Sequence, residues 1–84
     1  MGTKDNPGEY DCYGNAAPDE PVFTLRAKDP VAAAVVRYWI DCRRLWCANH
    51  PGEKDPLRED RKYTEADECA REMLAWRAAQ EENG

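Results

Sequence analysis

From residue 30 onward the apolar positions recur every three or four residues; before it they do not. Asp29 can cap the free amides of a helix, and Pro30 suits its first position, where the missing N–H costs nothing. The run VAAAVVRYWIDCRRLWC then continues without a breaker, which predicts a helix over 30–48. At about 100° per residue, Val31, Val35, Trp39, Cys42 and Trp46 share one stripe, while Arg37, Asp41 and Arg44 mark the opposite side. A second apolar edge, Val36, Ile40 and Cys47, lies beside that stripe and is interrupted by Arg43. One neighbouring helix cannot cover both edges, so the second awaits either the N-terminal arm or another protein.

The same period returns in EADECAREMLAWRAAQ, where Ala66, Cys69, Ala70, Met73 and Trp76 form a stripe with Leu74 at its edge. Thr64 offers a capping hydroxyl and Asp67 stands where a capping-box acid belongs, which predicts a second helix over 64–81. Between the two, Asp55 and Pro56 repeat the Asp-Pro start signal and permit a short third helix, with Leu57 and Tyr63 as its large apolar side chains.

Residues 1–21 carry Pro7, Gly8, Gly14, Asn15, Pro18 and Pro21, which is loop chemistry, with Tyr10 and Tyr13 as the large apolar groups. The alternation of Phe23, Leu25 and Ala27 against Val22, Thr24 and Arg26 predicts one short strand over 22–27. A lone strand leaves backbone groups unpaired, so it must lie against the body, pair with the N-terminal loop, or pair with its copy in a homodimer. The expected architecture is mainly α. A single small domain over 1–84 is built from two antiparallel helices and an extended N-terminal arm with one strand.

Length makes that core marginal, because a chain of 84 residues buries only about 60–65% of its unfolded surface. Cysteines could compensate, and there are four. The start, MGTKDNPGEYD, lacks a basic region followed by an apolar run, and no apolar stretch approaches the ~20 residues of a membrane span, so a soluble cytoplasmic protein with free thiols is expected. Cys42 and Cys47 stand about 140° apart on a regular helix, so one ion could not easily hold both. Cys47 and His50 could converge, since Pro51 biases His50 out of helical geometry, but two further ligands from Cys69, Cys12 or an acid show no structural-zinc spacing. No metal or other cofactor is expected.

Seventeen acids against twelve bases give a net charge of −5, and no Lys/Arg cluster is dense enough to track a phosphate backbone. Direct nucleic-acid binding is therefore not expected. Acid is concentrated at Asp5, Glu9, Asp11, Asp19 and Glu20, and again at Glu65, Asp67, Glu68 and Glu72. A nucleophilic cysteine would need a base, an orienting group and an oxyanion loop, and only the Cys47–His50 pair comes near that arrangement, so enzyme activity is not expected.

The segments YGNAAPDEPVFTLRAKDP, VVRYWID and ECAREMLAW, within residues 10–47 and 66–76, resemble a group of small proteins carried by phages and prophages of proteobacteria. The resemblance transfers no active-site motif. It implies a phage-accessory setting in which small acidic proteins include inhibitors of host defence of the anti-CRISPR type. On that reading the chain is a stoichiometric inhibitor occluding a basic, nucleic-acid-binding surface of a host CRISPR-Cas complex. Val36, Tyr38 and Ile40 form its apolar anchor, Arg43 lies beside them, and Glu65, Asp67 and Glu68 supply the acid. The alternative is a small phage structural or regulatory protein that uses its spare apolar edge for self-association.

Overall fold

A computed structural model describes residues 2–8, 12–53 and 55–83 of the chain; Tyr10 and the side chains of Cys12 and Tyr13 lie outside the described residues. Among the described residues three helices follow in order: a single turn α1, Cys12–Asn15, then α2, Ala32–Asn49, and α3, Pro56–Asn83. The first main helix starts two residues later than its Asp-Pro signal suggests. Asp29 is still the device that starts it, because its Oδ1 accepts from the Val31 amide at 2.9 Å and its carbonyl from the Ala32 amide at 3.1 Å. A tight turn thus leads into the helix, and the regular pattern begins when Val35 donates to the Val31 carbonyl. Pro51 stops α2, leaving His50 at φ −136°, ψ 57°, outside helical geometry.

Residues 56–83 form one helix, so the predicted short intermediate helix and the helix over 64–81 are a single element. Asp55 caps it: its Oδ1 accepts from the Leu57 amide at 3.1 Å, and Pro56 takes the first position. Thr64 is no cap but an interior residue whose Oγ1 donates to the Asp60 carbonyl one turn back, at 3.0 Å. Neither Pro nor Gly interrupts residues 57–83, and the segment is rich in Ala, Glu, Arg and Leu, so nothing in it favours a break.

The two long helices form an antiparallel hairpin. Arg43 and Cys47 near the end of α2 meet Glu59 near the start of α3, Arg37 meets Asp67, and Lys28, just before α2, meets Arg77. Among the described residues the buried apolar ones are Ala32, Ala33 and Ile40 on one side, and Tyr63, Ala66 and Ala70 on the other. Ile40, Tyr63 and Ala66 are the centre of this core, with Val36 and Trp39 packed against them. Alanines at the contact let the two backbones approach closely, at the cost of little apolar volume.

This packing reverses the expected roles of the two faces of α2. The edge of Val36, Ile40 and Cys47 is the one that meets α3, with Ile40 only 6% exposed. Of the stripe expected to be the core, Val31, Val35, Cys42 and Trp46 are exposed and only Trp39 turns partly inward. On α3, Ala66 and Ala70 are buried as their stripe requires, whereas Trp76 and Leu74 are each about half exposed.

The strand expected over residues 22–27 does not form, and the described residues contain no strand. An isolated extended segment has no ladder to satisfy its amides, and Phe23 at 87% exposure shows that the alternation never acquires a buried face. Leu25 and Ala27 are half-buried, turns close at residues 17–20 and 26–29, and Arg77 Nη1 donates to the Lys28 carbonyl at 2.6 Å. That last bond ties the arm to α3 beyond the reach of α2. At 1.5 Å per residue α3 is about 42 Å long against about 27 Å for α2, and the molecule extends 49 Å along its longest axis. Among the described residues no helix is long and apolar enough to cross a membrane.

Candidate functional site

The densest chemistry lies between the helices, close to the turn that joins them. The Arg43 guanidinium donates from Nε and Nη2 to the two carboxylate oxygens of Glu59, each at 3.5 Å. The Cys47 thiol stands 3.8 Å from Glu59 Oε2 and 3.3 Å from the Tyr63 hydroxyl. Helical spacing puts Arg43 and Cys47 one turn apart on α2, and Glu59 and Tyr63 one turn apart on α3, so antiparallel packing closes four polar groups into one cluster.

Burial opposes the Glu59 charge, but Arg43 and the Tyr63 hydroxyl outweigh it, and the carboxyl is held below its ordinary range. Burial likewise works against the Arg43 charge, and Glu59 reverses the effect and raises it. For Tyr63, burial comes first and the neighbouring thiol and carboxylate add to it, so the phenol is pushed well up and stays protonated. A neutral phenol beside a thiol and an ion-paired carboxylate is an arrangement that joins helices; its acid is already committed to Arg43.

The Cys47–His50 pair does not converge. Cys47 turns toward α3, while the His50 ring stacks on Trp46 with centroids 4.0 Å apart and 12° between planes. His50 Nδ1 lies 2.8 Å from the Trp46 carbonyl, a bond that requires its proton on that nitrogen because a carbonyl only accepts. Asn49 Nδ2 donates to the Leu45 carbonyl beside it at 3.2 Å, so both side chains serve the open end of the helix. Among the described residues no group of three His, Cys, Asp or Glu is placed to hold a metal ion.

The residues that the sequence gathers into one binding site are divided among separate faces. Val36 and Ile40 lie inside the hairpin contact, which corrects their assignment to an exposed edge: α3 covers it. Arg43 is committed to Glu59. Tyr38, 69% exposed, points away from α3 on the outer side of α2. Asp67 accepts from Arg71 at 2.9 Å and faces Arg37 at 3.8 Å, so its charge is compensated locally. Glu68 is exposed and Glu65 half-buried. Both lie on the side of α3 turned from α2, where helical spacing adds Glu72, with Trp76 at its margin.

Leu45, Leu57 and Trp76, all large, apolar and exposed, lie outside the set of candidate residues that the sequence pattern suggests. Leu57 could have been found from the Asp55-Pro56 start, because a helix beginning there places it on the outer side of the first turn. An open groove of about 500 Å³ between the helices is lined by Arg37, Asp41, Arg44, Tyr63, Thr64 and Asp67, among others. Its two arginines face two carboxylates, so its charge selects neither an anion nor a cation. No family model, curated protein or solved structure matches the chain.

Proposed function

We propose that this protein acts by binding another protein, as a stoichiometric inhibitor of a bacterial defence complex of the CRISPR-Cas type. The observation that carries the reading is the outer side of α3, where Glu68 and Glu72 stand exposed beside the half-exposed indole of Trp76. An aromatic anchor bordered by acid is a pattern suited to a basic protein surface: the ring supplies desolvated area, and the charges speed encounter and reject wrong partners. A net charge of −5 is modest for imitation of a whole duplex, which favours local occlusion. The phage setting rests on the sequence resemblance alone.

Expression in a bacterium with active CRISPR immunity tests this reading, with plasmid or phage survival as the measure. Protection is expected, together with co-purification of subunits of the targeted complex. Trp76→Ala should abolish both, and Glu68→Lys with Glu72→Lys should slow association, most strongly at low salt. Absence of protection against every major defence type, with no defence protein retained, would reject the inhibitor. A second reading, a small phage structural or regulatory protein that works by self-association, is favoured by a different observation, the uncovered apolar face of α2.

A further inference from the structure

Val31, Val35, Tyr38, Cys42 and Leu45 follow one another at intervals of four, three, four and three residues. This is the 3.5-residue repeat by which one helix lies along another with a continuous apolar seam. The hairpin leaves the seam open: Tyr38 is 69%, Leu45 67% and Val31 55% exposed, and Val35 and Cys42 are exposed as well. Helical spacing puts it on the side of α2 opposite Ile40, where α3 of the same chain cannot reach.

We propose that a second copy of this chain covers the seam, with the two α2 helices packed antiparallel about a two-fold axis between the levels of Tyr38 and Cys42. Area is the first argument for this occupant. The exposed parts of Val31, Val35, Tyr38, Leu45 and the adjacent Trp46 come to roughly 500 Å² per copy, so their complete burial in a pair removes about 1,000 Å² before flanking atoms are counted, the lower bound for a biological interface.

Self-complementarity is the second. A two-fold axis at that level sets Tyr38 against Cys42, Val35 against Leu45 and Val31 against Asn49, so bulky and smaller side chains alternate across the seam. A parallel pairing would instead set Tyr38 against Tyr38 and Leu45 against Leu45, and would align the two helix dipoles. The five seam residues carry no charge, so the chain's net −5 is not concentrated at the contact. Asp41, which borders the seam near the axis, has Arg37 and Arg44 one turn to either side on its own helix. Each α2 then lies between its own α3 and its copy, which leaves the outer side of α3 facing away from the dimer.

The test is the mass of the purified chain by light scattering at about 50 μM. Twice 9.6 kDa is expected, and the monomer mass would overturn the proposal. Tyr38→Glu combined with Leu45→Glu should give a monomer of unchanged helical circular dichroism, whereas Leu57→Glu, on α3, should leave the dimer. A dimer that survives the double substitution would also overturn it. Register is read by Tyr38→Cys under mild copper–phenanthroline oxidation, with the cross-link located by peptide mapping. Joining of the introduced thiol to Cys42 in a product of twice the chain mass on a non-reducing gel is expected; cross-linking of Cys42 to Cys42 instead, or a link between the introduced thiol and Cys42 confined to single chains, would refute the antiparallel arrangement. These readouts need no host protein, so a monomer that still protects phage defeats the dimer alone, and a dimer that gives no protection defeats the inhibitor alone.

Discussion

The Cys47 thiol and the Tyr63 hydroxyl lie 3.3 Å apart although sixteen residues separate them in the chain. Their contact, with the Arg43–Glu59 ion pair beside it, fastens the hairpin near its turn. At the same time Tyr63 turns the edge of its ring toward Trp39, with centroids 6.3 Å apart and 65° between planes. One side chain thus closes the polar cluster with its oxygen and the apolar core with its ring.

The two functions of Tyr63 can be separated. Tyr63→Phe keeps the ring and removes one hydrogen-bonding partner, and should cost about 1 kcal/mol. Tyr63→Ala also removes the largest buried side chain of the core and should cost ~3–5 kcal/mol. Urea denaturation gives both values, and equal losses would mean that the ring contributes nothing beyond its hydroxyl.

Glu59 makes stability depend on pH. Its carboxyl is held below the ordinary carboxylate range, so the folded state favours the ionised form. The stabilisation is complete above the unfolded value of about 4.3 and is lost as pH falls through the lower folded value. Glu59→Gln should therefore destabilise the protein at pH 7 and weaken the loss of stability between pH 5 and pH 3. A variant as acid-sensitive as the parent would place that dependence on other carboxylates.

Ile40 distinguishes the hairpin contact from a free surface. An aspartate there would be an unpaired charge against Tyr63 and Ala66, so Ile40→Asp should abolish cooperative unfolding, and Ile40→Ala should cost about 2–5 kcal/mol. Leu57→Ala, at a site 76% exposed, should stay within about ±0.5 kcal/mol. A cooperatively folded Ile40→Asp variant with the parent's circular dichroism would contradict the packing of α2 on α3.

The start of α3 can be located by its cap. Asp55→Ala removes the acceptor of the Leu57 amide and should cost about 0.5–2 kcal/mol. Thr64→Ala replaces an interior residue with a better helix former and should be neutral or slightly stabilising, by about 0.5 kcal/mol. If the two costs were reversed, the helix would begin at Thr64.

Local chemistry determined much of this fold by itself. Asp29-Pro30 announces the first long helix and Pro51 ends it, and Ala66 and Ala70 mark the inward side of the second; Asp55-Pro56 signals a helix start, but the polar stretch after it makes a separate short helix the local reading and puts the start of the long one at Thr64. These signals act within one or two turns, so neighbouring residues suffice to read them. The choice of face on α2 was not local. Arg43 interrupts the Val36–Ile40–Cys47 edge in the sequence and makes it look the poorer core, yet Glu59, sixteen residues away, supplies the carboxylate that lets this edge close. Only antiparallel packing brings that acid, with Tyr63, to Arg43 and Cys47. Once the edge is closed, the more continuous stripe of Val31, Val35 and Cys42 is left outside. The strand failed for the related reason that residues 22–27 have the pattern of a half-buried strand but no ladder to join. Periodicity reports which side chains share a face, but the partner that arrives in three dimensions decides which face is buried.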